Sequence, residues 1–187
     1  MSVTYYLTQI LNELSTNQQY IEDDQLLKLT DGIRKAGHIF TAGAGRSGIA
    51  VSGFTNRLMH LGFSVSQVGE ISSPHSQAGD LLIIGSGSGE TTSLVALAEK
   101  AHKSNVKIAL ITMDSASSIA KLADIVVVLP GVSPKLKNKG MDITSIQPMG
   151  SAFEQISNLT YDAIVMELME QTGQTSDEMF TRHADFE

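Results

Sequence analysis

The stretch DLLIIGSGSGETTSLVALAEKAH, residues 80–102, decides how this chain is read. Leu81–Ile84 is an unbroken apolar run, the pattern of a strand buried on both faces. GSGSGETT, residues 85–92, is a segment of glycines and hydroxyls. After it, apolar residues recur at helical spacing. A buried strand turning through glycine into a helix is the repeating unit of a parallel sheet. It is also a natural anion site, because a helix N-terminus offers unpaired N–H groups and partial positive charge. Yet the segment has no lysine, and its one charge, Glu90, has the wrong sign for holding a phosphate.

The same alternation extends in both directions. Residues 3–15 predict a helix with Val3, Leu7, Ile10, Leu11 and Leu14 on one face, and residues 22–35 a second, stopped by Gly37. HIFTAG (38–43) reads as a short buried strand, RSGIAVSGFTNRLMHLG (46–62) as a helix, and FSVSQVG (63–69) as an alternating strand. Downstream come the strand KIALIT, a short helix ASSIAKLA, the strand DIVVVLP and a long polar connection over 131–150. A long amphipathic helix starts at Ser151, and a polar tail closes the chain. Five alternating strands and helices predict an α/β fold: a five-stranded parallel sheet with helices on both faces, a flavodoxin-like three-layer sandwich. Such sheets bind ligands at the C-terminal strand ends, where the strand order reverses. No repeat or break in composition divides the 187 residues, so one domain is expected: N-terminal helices over 1–36, a core over 37–172 and a tail over 173–187.

The formal net charge of -7 disfavours nucleic acid, whose binding needs Lys and Arg against phosphates. Cysteine is absent, which removes disulfides, thiolate metal sites and a thiol nucleophile. The N-terminus lacks a signal-peptide pattern, and no run approaches the roughly 18 apolar residues of a membrane span. The expectation is a cytoplasmic protein with no membrane partner.

Two glycine loops are candidate binding elements. GAGRSG, Gly43 to Gly48, matches G-x-G-x-x-G between a strand and a helix, and Glu70 follows the next strand. That pattern admits a dinucleotide site, or simply a tight turn that needs glycine. Arg46 and Ser47, however, supply side-chain donors that a backbone cradle does not need. The second loop lacks the Walker A spacing and lysine. Ser86, Ser88, Thr91 and Thr92 offer hydroxyls, and Gly87 and Gly89 allow close backbone approach. The bland alternative is N-capping of the following helix by Ser88. Two loops closing on one small anion explain both.

In QPMGSAFEQ (147–155), Ser151 and Glu154 have capping-box spacing. Glu154 is equally a candidate general base. His60 and His102 fall in last helical turns, where a cation suits the dipole. His38 starts a strand, and His75 lies in a loop near the expected cleft. His183 sits in a tail that Met179, Phe180 and Phe186 would anchor. PKLKNK (134–139) is a solvated loop or a lysine-bearing lid. No metal-ligand pattern and no G-x-S-x-G elbow is present.

Together, GAGRSG, SGSGET and the strand end LIT resemble the sugar isomerase (SIS) domain family over nearly the whole chain. QPMGSAFEQ and the terminal MFTRHADFE resemble its 6-phospho-3-hexuloisomerase branch. SSPHSQAGD departs from that branch's Thr-Pro-rich loop, and ADFE stands where it usually has Asn-Leu. The resemblance implies isomerisation of a 3-hexulose 6-phosphate and fructose 6-phosphate through an enediolate, in the ribulose monophosphate route of formaldehyde fixation. It implies no cofactor, no metal and a homotetramer with sites at subunit interfaces. For that chemistry, Gly45, Arg46, Ser47, Ser86, Gly87, Ser88 and Thr91 are expected at the substrate, and Glu154 and His183 in catalysis, with His183 supplied by a neighbouring chain. The competing classes are a sugar-phosphate sensor, another aldose–ketose isomerase such as one acting on arabinose 5-phosphate, and a dehydrogenase.

Overall fold

The computed structural model describes residues 2–136 and 143–185. Its centre is a five-stranded sheet in the order β2-β1-β3-β4-β5, with every pairing parallel. The strands are β1 (Ile39–Gly43), β2 (Val65–Gln67), β3 (Leu81–Gly85), β4 (Lys107–Thr112) and β5 (Ile125–Val128). The helices are α1 (Val3–Asn17), α2 (Asp23–Lys35), α3 (Gly45–His60), α4 (Thr92–Lys103), α5 (Ser151–Thr172) and α6 (Ser176–Phe180). This is the architecture that the alternating pattern predicts, including the reversal of strand order between β1 and β3.

The central strands β1, β3 and β4 are mostly apolar because both faces are covered. Ile39, Leu81, Ile83, Ala109 and Ile111 point to one face, where Val51, Phe54 and Leu58 of α3 and Leu29 and Ile33 of α2 pack. Phe40, Leu82, Ile84, Ile108 and Leu110 point to the other, against Leu94, Ala98 and Ala101 of α4. A period of two along each strand therefore sorts the residues between two cores. α5 lies outside α3 and adds Ile156, Tyr161, Ile164 and Leu168 to the first core.

Four expectations need correction. The apolar face of α1 is not covered: Leu14 is buried, but Val3, Leu7 and Leu11 are exposed. The segment predicted as a helix over 116–123 closes only a 3-10 turn, Ala120–Leu122. β2 keeps just three residues, as suits an edge strand with one partner. The tail does not fray through 185. Thr175 and Glu178 form a capping box around α6, and the Thr175 amide holds the Glu178 carboxyl below its ordinary range. Met179 is buried in the first core, whereas Phe180 is exposed. Phe186 lies outside the described residues.

Candidate functional site

At the point of strand reversal, Gly43 at the end of β1 pairs with Gly85 at the end of β3. The chain after each strand opens a helix on opposite faces of the sheet, and a cleft of about 420 Å³ lies between them. Its walls include Gly45, Arg46 and Ser47 from the first turn of α3, and Ser86, Gly87, Ser88 and Thr91 from the loop that leads into α4. Glu154, Phe153 and Met149 close the third side, with Lys135 at the rim. All seven residues expected at the substrate line this cleft, together with Glu154. Lys137 and Lys139 lie outside the described residues.

The glycines have specific reasons. A Cβ on Gly43 would come within 2.7 Å of the Gly48 Cα, so this glycine pair lets α3 start directly against β1. Gly45 takes a φ of +58°, which a glycine adopts without strain. The G-x-G-x-x-G spacing is thus explained by packing, with no nucleotide required.

The second loop is braced from behind. Ser86 N–H donates to the Ile111 carbonyl (3.0 Å), while Met113 N–H (3.0 Å) and the Thr112 hydroxyl (3.1 Å) donate to the Gly87 carbonyl. Ile119 N–H donates to the Gly89 carbonyl (3.2 Å). The loop's carbonyls are thereby turned toward the chain after β4. Among the described residues, the N–H groups of Gly87, Ser88, Thr91 and Thr92 have no protein acceptor. That is a nest of donors at a helix N-terminus, suited to an anion. Glu90 does not face it: its Oε1 accepts from Ser118 N–H at 2.8 Å and ties the loop to its brace. Capping by Ser88 is not formed. Thr91 occupies the N-cap of α4, and the Ser88 hydroxyl accepts from Glu90 N–H instead.

The capping box at α5 is also absent. Gly150, with a φ of +81°, is the N-cap, and no side chain caps the helix. Released from that duty, the Glu154 carboxylate accepts from Arg46 Nε across the cleft. The carboxylate is mostly enclosed, at 17% side-chain exposure, while the guanidinium reaches out at 64%. Beneath the cleft, Tyr161 stacks on Phe54 with ring centroids 4.6 Å apart. A Cβ on Gly85 would stand 3.0 Å from its hydroxyl, and burial pushes the Tyr161 phenol well above its ordinary range. The sequence offered no signal for Tyr161 beyond its place on an apolar helix face.

His183 does not line the cleft of its own chain. Its ring stacks on His60 (5.3 Å between centroids) and lies near Phe180, at the far end of α3. Arg182 fixes that placement by donating to the His60 carbonyl and to Gln174 Oε1, both at 2.9 Å. His75 is exposed, with Nδ1 against the Ser76 carbonyl, and also stands outside the cleft. His38 bridges the Ser64 and Ser66 hydroxyls at the opposite end of the sheet.

Residues 32–159 match the SIS domain. The chain is 48% identical over its full length, and over the full length of the relative, to the 3-hexulose-6-phosphate isomerase of Bacillus subtilis. It is 36% identical to the protein of the same name from Mycobacterium gastri, over 99% of this chain and 92% of that one. A crystal structure from Methanococcus jannaschii, described as inferring a molecular function of 3-hexulose-6-phosphate isomerase, superposes with a TM-score of 0.78. The identity is 32%, over 96% of this chain and 94% of that one. A family model matched over residues 32–159 and relatives 36–48% identical over nearly the full length place this protein: the chain belongs to the SIS domain family.

Proposed function

We propose that this chain interconverts D-arabino-hex-3-ulose 6-phosphate and fructose 6-phosphate, in the cytoplasm and without a cofactor. The observation that carries the reading is the pairing of an anion nest with a carboxylate across one small cleft, in a chain whose full-length relatives bear that isomerase name. The phosphate is held by the N–H groups of Gly87, Ser88, Thr91 and Thr92 and by the hydroxyls of Ser86, Ser88 and Thr91. Gly45, Arg46 and Ser47 form the facing wall, and Lys135 draws the anion to the rim.

Glu154 removes the proton from C2 of the 3-ulose. The C–H electron pair becomes the C2=C3 bond, and the C3 carbonyl oxygen takes the negative charge. A proton then passes from the C2 hydroxyl to the C3 oxygen through His183, supplied by residues 173–187 of a neighbouring chain. Glu154 returns its proton to C3, giving the 2-ketose. Since the base and the shuttle do not meet within one chain, the working unit is an assembly, a homotetramer with sites at subunit interfaces.

Incubation with fructose 6-phosphate in deuterated water tests the reaction. Deuterium appears on the sugar at C2 and C3 as hexulose forms. Binding of sugar phosphates without exchange would replace the isomerase by a sensor. For the shuttle, His183→Asn lowers kcat by about 10²-fold with KM little changed. Its melting temperature stays near that of the parent, because His183 is exposed and the change removes only its ring contacts with His60 and Phe180. Normal turnover in that variant would make the tail structural.

A further inference from the structure

α1 lies ahead of residue 32, where the SIS match begins, yet it is tied to the cleft. Leu14 seats its C-terminal half on the first core, with Ile10 one turn earlier. Glu13, beside Leu14, meets the long connection that follows β5. Its Oε1 accepts from the Ser145 hydroxyl at 2.6 Å, and its Oε2 from the Ile146 N–H at 3.2 Å. The Ser145 oxygen in turn accepts from the Gln147 N–H at 3.1 Å. One carboxylate thus gathers a turn of chain 132 residues away.

That turn leads directly to the site. Gly150 N–H donates to the Val132 carbonyl, the Pro148 carbonyl accepts from Ser151 N–H, and the Gly150 carbonyl accepts from Glu154 N–H, all at 3.0 Å. Met149 and Gly150 line the cleft, and Gly150 is the N-cap from which α5 carries Glu154. The side chains of the segment do not fix this path. Ile146 is 65% exposed and Met149 76%. Among the described residues, Gln147 Nε2 is buried with no hydrogen-bond partner, so the amide does not share the task. Apolar burial therefore does not hold residues 145–149 in place. Hydrogen bonds do, and Glu13 accepts two of them.

We propose that Glu13 is a positioning residue for the reaction, an inference that rests on the role given above to Glu154. By clamping the turn at 145–147 it sets where Met149 and Gly150 stand, and so how the first turn of α5 presents Glu154 to C2 of the sugar. Glu13 itself touches neither substrate nor reacting atoms. A glutamate suits the place because two donors converge there and a carboxylate offers two acceptor oxygens. Displacing a catalytic group by about 1 Å from a distance costs about 10²-fold in rate. A helix that leaves much of its apolar face uncovered thereby has a part in the chemistry.

Glu13→Ala lowers kcat by about 10–10²-fold and leaves KM for the sugar phosphate little changed, because the anion nest before α4 is untouched. In the same protein the Ile146 and Gln147 amides lose protection from hydrogen exchange. Assays well below the melting temperature keep an unfolded fraction out of kcat. Glu13→Gln retains most of the parent kcat: its carbonyl accepts from Ile146 N–H, and its amide donates to the Ser145 oxygen. Ser145→Ala removes one arm of the clamp, and its loss in kcat does not add to that of Glu13→Ala in the double variant. Parent kcat in Glu13→Ala overturns the proposal. So does a Glu13→Gln as slow as Glu13→Ala, a fall in kcat with the Ile146 amide still protected, or additive losses in the double variant. Wild-type protein that places no deuterium on any sugar phosphate removes the isomerase and with it the catalytic part of the proposal. Loss of amide protection in Glu13→Ala then still establishes the clamp, and retained protection removes that as well.

Discussion

Glu154→Gln lowers kcat by about 10²–10⁴-fold, the usual contribution of a positioned acid–base group, while the protein remains folded. The carboxylate is the acid among the residues lining the cleft, and the absent capping box leaves it no helix-capping role to lose. A glutamine keeps the volume and an oxygen that accepts from Arg46, but it takes no proton from carbon. The pair it replaces includes a guanidinium 64% exposed, and such pairs contribute about 0–1 kcal/mol to stability. Kinetics and thermal melting of the same preparation therefore separate, with a large loss in the first and a small one in the second. Comparable losses in both would make Glu154 a structural residue, and near-full activity would remove it from the chemistry. Substrate KM changes much less than kcat, because the phosphate is held by the loop before α4 and not by Glu154.

Gly89→Ala has the largest expected effect on stability. Gly89 sits at φ +60°, and a Cβ there would lie 2.0 Å from Ser117 Oγ and 2.5 Å from Ser117 Cβ. Ser117 is fully buried, so it has nowhere to turn. The left-handed backbone and the overlap together cost about 2–4 kcal/mol. For a chain of this size that lowers the melting temperature by about 5–15 °C. The loop relieves the overlap by moving off its brace, which spoils the alignment of the donor N–H groups at 87, 88, 91 and 92. KM for sugar phosphate rises with the loss of stability, and a Ser117→Ala/Gly89→Ala double variant recovers part of both by removing the hydroxyl. An unchanged melting temperature would mean that the loop is not held by this contact.

The sheet was legible because its information is local. Apolar runs alternating with helical patterns admit few arrangements, and β1 and β3, which end in glycine and lead straight into helices, mark the strand reversal. The lining of the cleft was legible for the same reason: ligand residues of such sheets fall at strand ends. What escaped depends on contacts distant in sequence. Ser151 and Glu154 have capping-box spacing, but Gly150 takes the cap and Arg46, more than a hundred residues earlier, takes the carboxylate. Ser88 was an apparent cap until Thr91 occupied that place. The apolar face of α1 shows that Val3, Leu7 and Leu11 share a side; periodicity does not say which chain covers it. Glu90, of the wrong sign for a phosphate loop, makes sense only beside Ser118, which sequence spacing gives no means to place.

Tyr161, wedged under Gly85, gives the protein an optical probe of its own. The chain has no tryptophan and four tyrosines. Tyr5, Tyr6 and Tyr20 are 41–50% exposed on the N-terminal helical segment, whereas Tyr161 is 2% exposed and clamped face to face on Phe54. A rigid, asymmetrically packed phenol dominates near-ultraviolet circular dichroism over mobile surface rings. Ellipticity near the tyrosine band thus reports the packing directly behind Gly85, a residue of the cleft wall, and sugar-phosphate titrations can be followed on the unlabelled chain.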